Sequence, residues 1–138
     1  MNVTRSQSEF RVRYRETDQM GVVWHGNYIE WFEVARTDWL RMANLSYRKL
    51  EEHGIMLPVL SVRCDYIQSA RYDDGVTVNA ELKDYNGLRV TFSYVVTLSA
   101  NGKRLAQGET EHVFTDRTLK PIRVAHLAPH IHRVLIGE

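Results

Sequence analysis

The segment from Tyr28 to Met42 constrains the fold most. Tyr28, Phe32, Ala35, Trp39 and Met42 follow helical spacing, while Ile29, Trp31, Val34, Leu40 and Ala43 add apolar residues around most of the same circumference. A helix of that kind has to be wrapped. The wrapper follows in the chain: Leu60, Val62, Cys64 and Tyr66 alternate with polar residues, as do Val76, Val78, Ala80 and Leu82. Asn86-Gly87 then predicts a tight hairpin turn, Leu88 to Leu98 another alternating strand, Asn101-Gly102 a second turn, and Arg104 to Phe114 a last, mixed strand. An earlier strand is predicted over Phe10 to Tyr14, where Phe10, Val12 and Tyr14 alternate with Arg11 and Arg13. The order gives an α+β domain in which a curved, five-stranded, largely antiparallel sheet wraps one long helix.

The remaining punctuation is local. Asn27, with Glu30 three residues on, is a capping-box-like start for the long helix. A short helix is expected from Ser46 to His53, capped by Ser46 and ended by Gly54, and an amphipathic helix from Val124 to Ile136. At 138 residues the chain suits a single domain over 1–138, with no linker or repeat. Lys plus Arg number 18 against 17 acidic residues, too even a balance for phosphate-backbone binding, so nucleic acid is not an expected partner. The single Cys64 cannot form an internal bridge, and no apolar leader or run of about 20 apolar residues occurs, so a cytoplasmic, reducing location is expected. A sheet with one covering helix leaves strand edges that a second copy would cover; a homo-oligomer, dimer or tetramer, follows.

Polar chemistry concentrates between the first strand and the long helix, in Tyr14-Arg15-Glu16-Thr17-Asp18-Gln19-Met20-Gly21-Val22-Val23-Trp24-His25-Gly26-Asn27-Tyr28. A loop carboxylate beside apolar residues, Asp18, suits a general base or nucleophile. The helix N-terminus over His25 to Asn27 offers free N–H groups and a positive dipole end to an oxyanion. Taken alone, the spacing equally allows Asp18 and Asn27 to cap turns and His25 to be a structural histidine.

This segment resembles the signature of the 4-hydroxybenzoyl-CoA thioesterase family, including its bacterial acyl-CoA thioesterase branch. In that signature an Asp after Thr or Cys precedes a Gly-Val-Val-aromatic stretch and Asn-Tyr. The likeness runs on through Trp31-Phe32-Glu33, Ala35-Arg36 and Trp39-Leu40, and resumes at Ser69-Ala70-Arg71-Tyr72-Asp73-Asp74. The resemblance implies a hot-dog fold and hydrolysis of an acyl-CoA thioester to free acid and CoA. It makes Asp18 the catalytic carboxylate and the backbone N–H of His25 the group that polarises the carbonyl. It also implies that Gly21, Val22, Val23, Trp24, Gly26, Asn27 and Tyr28 bound the substrate, with Arg71, Arg89, Lys120 and Arg123 as candidate contacts of the CoA phosphates. No cofactor is implied, coenzyme A being part of the substrate. One departure stands out: many members of the branch carry Glu-Asp-Thr-Asp where this chain has Arg15-Glu16-Thr17-Asp18, which alters the charge around Asp18.

Two other functions compete. A hot-dog dehydratase acting on a hydroxyacyl thioester would pair His25 with an acid on the helix, Glu33 being the candidate, and a non-catalytic acyl-thioester-binding module would need neither. His126 and His130, at i, i+4 spacing with His132 beyond, have no Cys or carboxylate between them, and no metal site is expected.

Overall fold

A computed structural model describes residues 5–138. The elements run β1 (Arg5–Arg11), a 3-10 turn (Tyr14–Glu16), α1 (Asn27–Met42), α2 (Tyr47–Glu52), β2 (Val59–Tyr66), β3 (Gly75–Tyr85), β4 (Arg89–Leu98), β5 (Arg104–Val113), α3 (Val124–Leu127) and α4 (Pro129–Leu135). The strands form one antiparallel sheet in the order β1-β3-β4-β5-β2, which leaves β1 and β2 as its edges. This is the α+β architecture the sequence pattern calls for.

Helix α1 lies on one face, packed mainly on β1 and β3. Phe32 stacks on Tyr94 with ring centroids 4.4 Å apart, and Trp39 meets Phe92 edge-on at 5.2 Å. Trp31, Phe32, Ala35, Trp39 and Leu40 are buried, whereas Ile29, Val34 and Met42 are exposed, so the wrapping is less complete than the composition suggested. Ser6 and Ser8 carry the first strand's inward alternation upstream of Phe10, donating to Ala35 O and the Asp38 carboxylate. The strand ends at Arg11, and Tyr14, expected in it, stands exposed in the 3-10 turn. The outer face of the sheet is polar, with cross-strand pairs Arg5–Glu81, Arg89–Glu111 and Lys83–Glu109.

Three sequence expectations need correction. Asn27 is no N-cap: Gly26 occupies that position without a side-chain bond, and the Asn27 amide donates to Glu16 O at 2.7 Å. The tail is two short helices rather than one. Pro129 disfavours helical backbone at the preceding residue, and Ala128 breaks out to φ −145, ψ 79. That break also removes the helical face His126 and His130 were to share. Third, β2 alternates in sequence but not in burial: Val59, Leu60, Val62 and Tyr66 all stay 42–48% exposed, because the strand is an edge over which α1 hardly reaches.

Helix α1 ends at Met42, where the spacing placed its end, but the way it closes was not foreseen. Asn44 adopts φ 61, Leu45 N–H reaches back to Leu40 O at 2.7 Å and Asn44 N–H to Arg41 O at 3.0 Å, a Schellman closure with Asn in the position glycine usually takes. The expected cap and terminator of α2 are in place: Ser46 Oγ accepts from Lys49 N, and Gly54 has φ 73.

Candidate active site

After β1 the chain turns through Tyr14–Glu16 and enters a short ribbon in which Thr17 pairs with Val23. Asp18 opens the turn at its tip. Its N–H donates to Val22 O at 2.8 Å, its carbonyl accepts from Gly21 N, and its Oδ1 accepts from Met20 N at 2.8 Å. Gly21 has φ +80, which a β-carbon would strain, so the turn needs glycine there. One Asp18 oxygen therefore caps the turn, as the structural reading of the sequence allowed, while the other accepts no bond from the described residues.

The ribbon is fastened to the second stretch of motif. Val23 N–H donates to Ala70 O at 2.9 Å, and Val22 bridges Arg71. Tyr28, buried in the first turn of α1, accepts from Ala70 N at 3.1 Å through its hydroxyl. Asp18, Met20, Val22, Val23, His25 and Tyr28 thereby line one side of a pocket of about 330 Å³, and Tyr66, Ile67, Gln68 and Ser69 the other.

At the head of α1, Trp24 N–H donates to Glu16 O and Asn27 N–H to Trp24 O, but the N–H groups of His25 and Gly26 find no acceptor among the described residues. They are the orphan donors of a helix N-terminus, and His25 lies in the pocket wall with Asp18. Gly26 leaves room for its neighbour. The Trp24 indole folds back over it, and a β-carbon at residue 26 would lie 2.3 Å from that ring. Trp24 is half exposed and flanks the His25 ring at 5.0 Å rather than lining the pocket.

Glu16 is an anchor that sequence reasoning missed. It is 3% exposed; Oε1 accepts from Arg13 N at 2.7 Å, and Oε2 from the Trp31 indole at 2.9 Å and the Arg13 guanidinium at 3.3 Å. Burial pushes this carboxyl up, but those bonds and the Arg13 charge outweigh it and hold Glu16 below its ordinary value. Its main-chain oxygen meanwhile takes both Trp24 N and the Asn27 amide, so one residue ties the Asp18 loop to the helix head. Nothing in the linear pattern distinguishes it from a solvated loop carboxylate. Tyr66, at the end of β2, and Ile67, Gln68 and Ser69 just beyond it were missed as pocket residues too, because the side chains where a strand runs out carry no mark of what they face.

The basic candidates separate. Arg71 sits beside the pocket. Arg89 pairs with the Glu111 carboxylate at 3.1 Å; it opposes Val113 on β5 where Tyr66 opposes Ala106, seven residues or roughly 24 Å along the strand. Lys120 is exposed in the turn closed by Asp116, and the Arg123 guanidinium lies near Gly87. One chain thus brings only Arg71 to the Asp18 pocket. Glu33 is exposed, eight residues and about 12 Å down the helix from His25, so the dehydratase pair is not assembled. Burial pushes the Cys64 thiol up, which suits an inert side chain. Among the described residues no three His, Cys, Asp or Glu side chains cluster as a metal site, and no helix is long and apolar enough to cross a membrane.

The profile of the thioesterase-like superfamily matches residues 12–135. The putative acyl-CoA thioesterase YneP of Bacillus subtilis strain 168 is 33% identical over 128 residues, 92% of each chain. The acyl-CoA thioester hydrolase YbgC of Escherichia coli O157:H7 is 31% identical over 101 residues, 73% of this chain and 75% of that one. Among solved structures, a DHNA-CoA thioesterase from Staphylococcus aureus superposes with a TM-score of 0.89 at 37% identity, covering 94% of this chain and 87% of that one.

Proposed function

Because this chain belongs to the thioesterase-like superfamily and is a thioester hydrolase, we propose that it cleaves a small acyl-CoA to the free acid and CoA, with Asp18 as nucleophile or general base. The observation that carries this reading is that Asp18 and His25 line one pocket, one Asp18 oxygen accepting no bond and the N–H donors of His25 and Gly26 at the head of α1 staying unpaired among the described residues. Those donors stabilise the oxyanion that develops when the thioester carbonyl is attacked.

As general base, Asp18 takes a proton from water while the water oxygen bonds the carbonyl carbon. Collapse of the oxyanion breaks the C–S bond, and the proton goes to the departing CoA sulfur. As nucleophile, an Asp18 oxygen forms that bond itself, CoA leaves as thiolate, and water then hydrolyses the acyl-aspartyl anhydride. Both routes use one carboxylate and backbone dipoles and need no metal or cofactor. The exposed apolar residues of the β2 edge next to the pocket favour a second copy of the chain as partner. A CoA nucleotide then reaches basic residues such as Arg89 or Lys120 only from the neighbouring copy, while Arg71 serves in its own chain.

The test is steady-state hydrolysis of a panel of aromatic and aliphatic acyl-CoAs, read as free thiol, by Asp18→Asn and His25→Ala. Asp18→Asn lowers kcat by at least about 10²-fold with its fold unchanged by circular dichroism, whereas His25→Ala costs much less because the backbone donor survives. Near wild-type turnover in Asp18→Asn would sink the reading. The reverse order would favour a histidine-centred dehydratase.

A further inference from the structure

The histidines that spacing pairs in the tail are not the ones that meet in the fold. The break at Ala128 separates His126 from His130, and His132 Nδ1 is taken by the Tyr85 hydroxyl at 2.8 Å. His130, the second residue of α4, lies instead against His53, the C-cap residue of α2, with ring centroids 4.9 Å apart and planes at 56°. Leu50 on α2 and Ile131 and Leu135 on α4 are buried, so both rings are carried by anchored turns.

The His53 ring is also held in one form. Its Nδ1 lies 2.9 Å from Lys49 O, and a carbonyl oxygen only accepts, so Nδ1 carries the hydrogen and Nε2 of the neutral ring keeps a bare lone pair. An imidazole braced on a carbonyl through one nitrogen and free at the other is the form in which histidine ligates metals. His130 makes no side-chain hydrogen bond among the described residues, so its ring nitrogens are free as well.

The separation of the two rings fits a shared ion. An imidazole lone pair points outward along the line from the ring centre through the nitrogen. With about 1.2 Å from centre to nitrogen and a Zn–N bond of about 2.0–2.1 Å, each centre stands about 3.2 Å from the metal, and ligand angles of about 90–110° put two centres about 4.5–5.3 Å apart. The observed 4.9 Å falls inside that range. Imidazole nitrogen selects transition metals such as zinc, copper and nickel over Mg2+ and Ca2+. Arg117, whose guanidinium donates to Glu51 O at 2.9 Å, brings a positive charge to this end of α2 and lowers the affinity. No third His, Cys, Asp or Glu side chain joins the pair among the described residues, so water completes the coordination.

We propose that His53 and His130 together bind one divalent transition-metal ion of the zinc class, which clips α2 to the tail helix α4. The ion is structural. Neither ring lines the Asp18 pocket, and no step of thioester hydrolysis passes through the metal.

The experiment titrates ZnCl2 by isothermal calorimetry into the full-length chain, freed of any purification tag, at about pH 7.5, where imidazole is neutral. The wild type binds one equivalent. His53→Ala and His130→Ala each weaken binding at least about tenfold, while His126→Ala and His132→Ala stay within about twofold. Zinc at about ten times its Kd raises the wild-type Tm by about 4 °C and leaves that of His130→Ala unchanged. Long-range 1H–15N spectra of the wild type need no variant to fold: zinc moves the ring-nitrogen resonances of His53 and His130 ahead of those of His132. No saturable binding at millimolar zinc overturns the proposal, as does wild-type affinity in His53→Ala or His130→Ala. An equal loss in His126→Ala or His132→Ala also overturns it, because zinc is then held only adventitiously by surface imidazoles.

Discussion

Replacing Glu16 by glutamine changes the chemistry of one terminal atom and almost no volume, and the geometry dictates its cost. Both carboxylate oxygens face donors: Oε1 the Arg13 backbone N–H, Oε2 the Trp31 indole and the Arg13 guanidinium. An amide has one acceptor oxygen, so its NH2 must face either Arg13 N–H or Trp31 Nε1–H. One donor is orphaned against another donor in a buried site, at about 1–3 kcal/mol, and the surviving bond loses its charge assistance, about 1 kcal/mol more. The exposed Arg13 guanidinium adds little. The total, roughly 2–4 kcal/mol, is about 6–16 °C in Tm for a domain this size. Urea unfolding is the assay, with a double-mutant cycle to Trp31→Phe. Once the indole donor is gone the introduced side-chain NH2 can turn toward the new phenyl ring, so the double variant loses less than the two single losses combined. Because the folded carboxyl is held below its ordinary value, the stability it confers is present above the unfolded pKa and is lost as pH falls through the folded one. The Glu16→Gln variant lacks that acid-side loss. A Glu16→Gln protein within about 0.5 kcal/mol of wild type, or additive cycle energies, would refute the network as the fastening of the Asp18 loop.

His112, fully buried with Nε2 2.8 Å from Thr110 Oγ1, is pushed down to about 4 by burial and then by the charge of Arg36. The unfolded chain takes up a proton near pH 6.5 and the folded chain only near 4, so stability falls as pH drops through that window, by about 2–3 kcal/mol. His112→Gln flattens this slope in denaturant melts between about pH 7.5 and about pH 4.5; an unchanged slope contradicts the assignment. Gly108→Ala places a β-carbon 2.2 Å from Arg63 O and 2.7 Å from the Phe32 ring, prising β2 off β5. A loss of about 2 kcal/mol or more is expected, with hydrogen exchange accelerated in β2 and β5 ahead of β1, and uniform protection would argue against it. Light scattering at micromolar concentration should give a dimer or larger, and a fully active monomer would exclude a site completed by a second copy.

The sequence by itself determined the α+β class and the strand count, and it marked the segment that carries the candidate site. Each rests on local physics: the 3.6-residue apolar period of Tyr28 to Met42, the two-residue period of the strands, and Asn86-Gly87 and Asn101-Gly102 with their left-handed glycines. Asp18 and the helix head were legible for the same reason, lying close together in the chain on a segment with its own signature. Tertiary structure decided what depends on approach between distant residues. Alternation in β2 could not announce an edge, since whether a strand is covered depends on its neighbours in the sheet order rather than on its own period. Glu16 became a buried anchor only because Trp31, fifteen residues on, turned its indole toward it. Tyr66 reached the carbonyl of His25 from 41 positions further along the chain, and Arg89 was carried to the far end of β5 from the pocket. Side-chain type sets what a residue can do; which other residue it meets is set by register and layer packing, and no local pattern encodes that meeting.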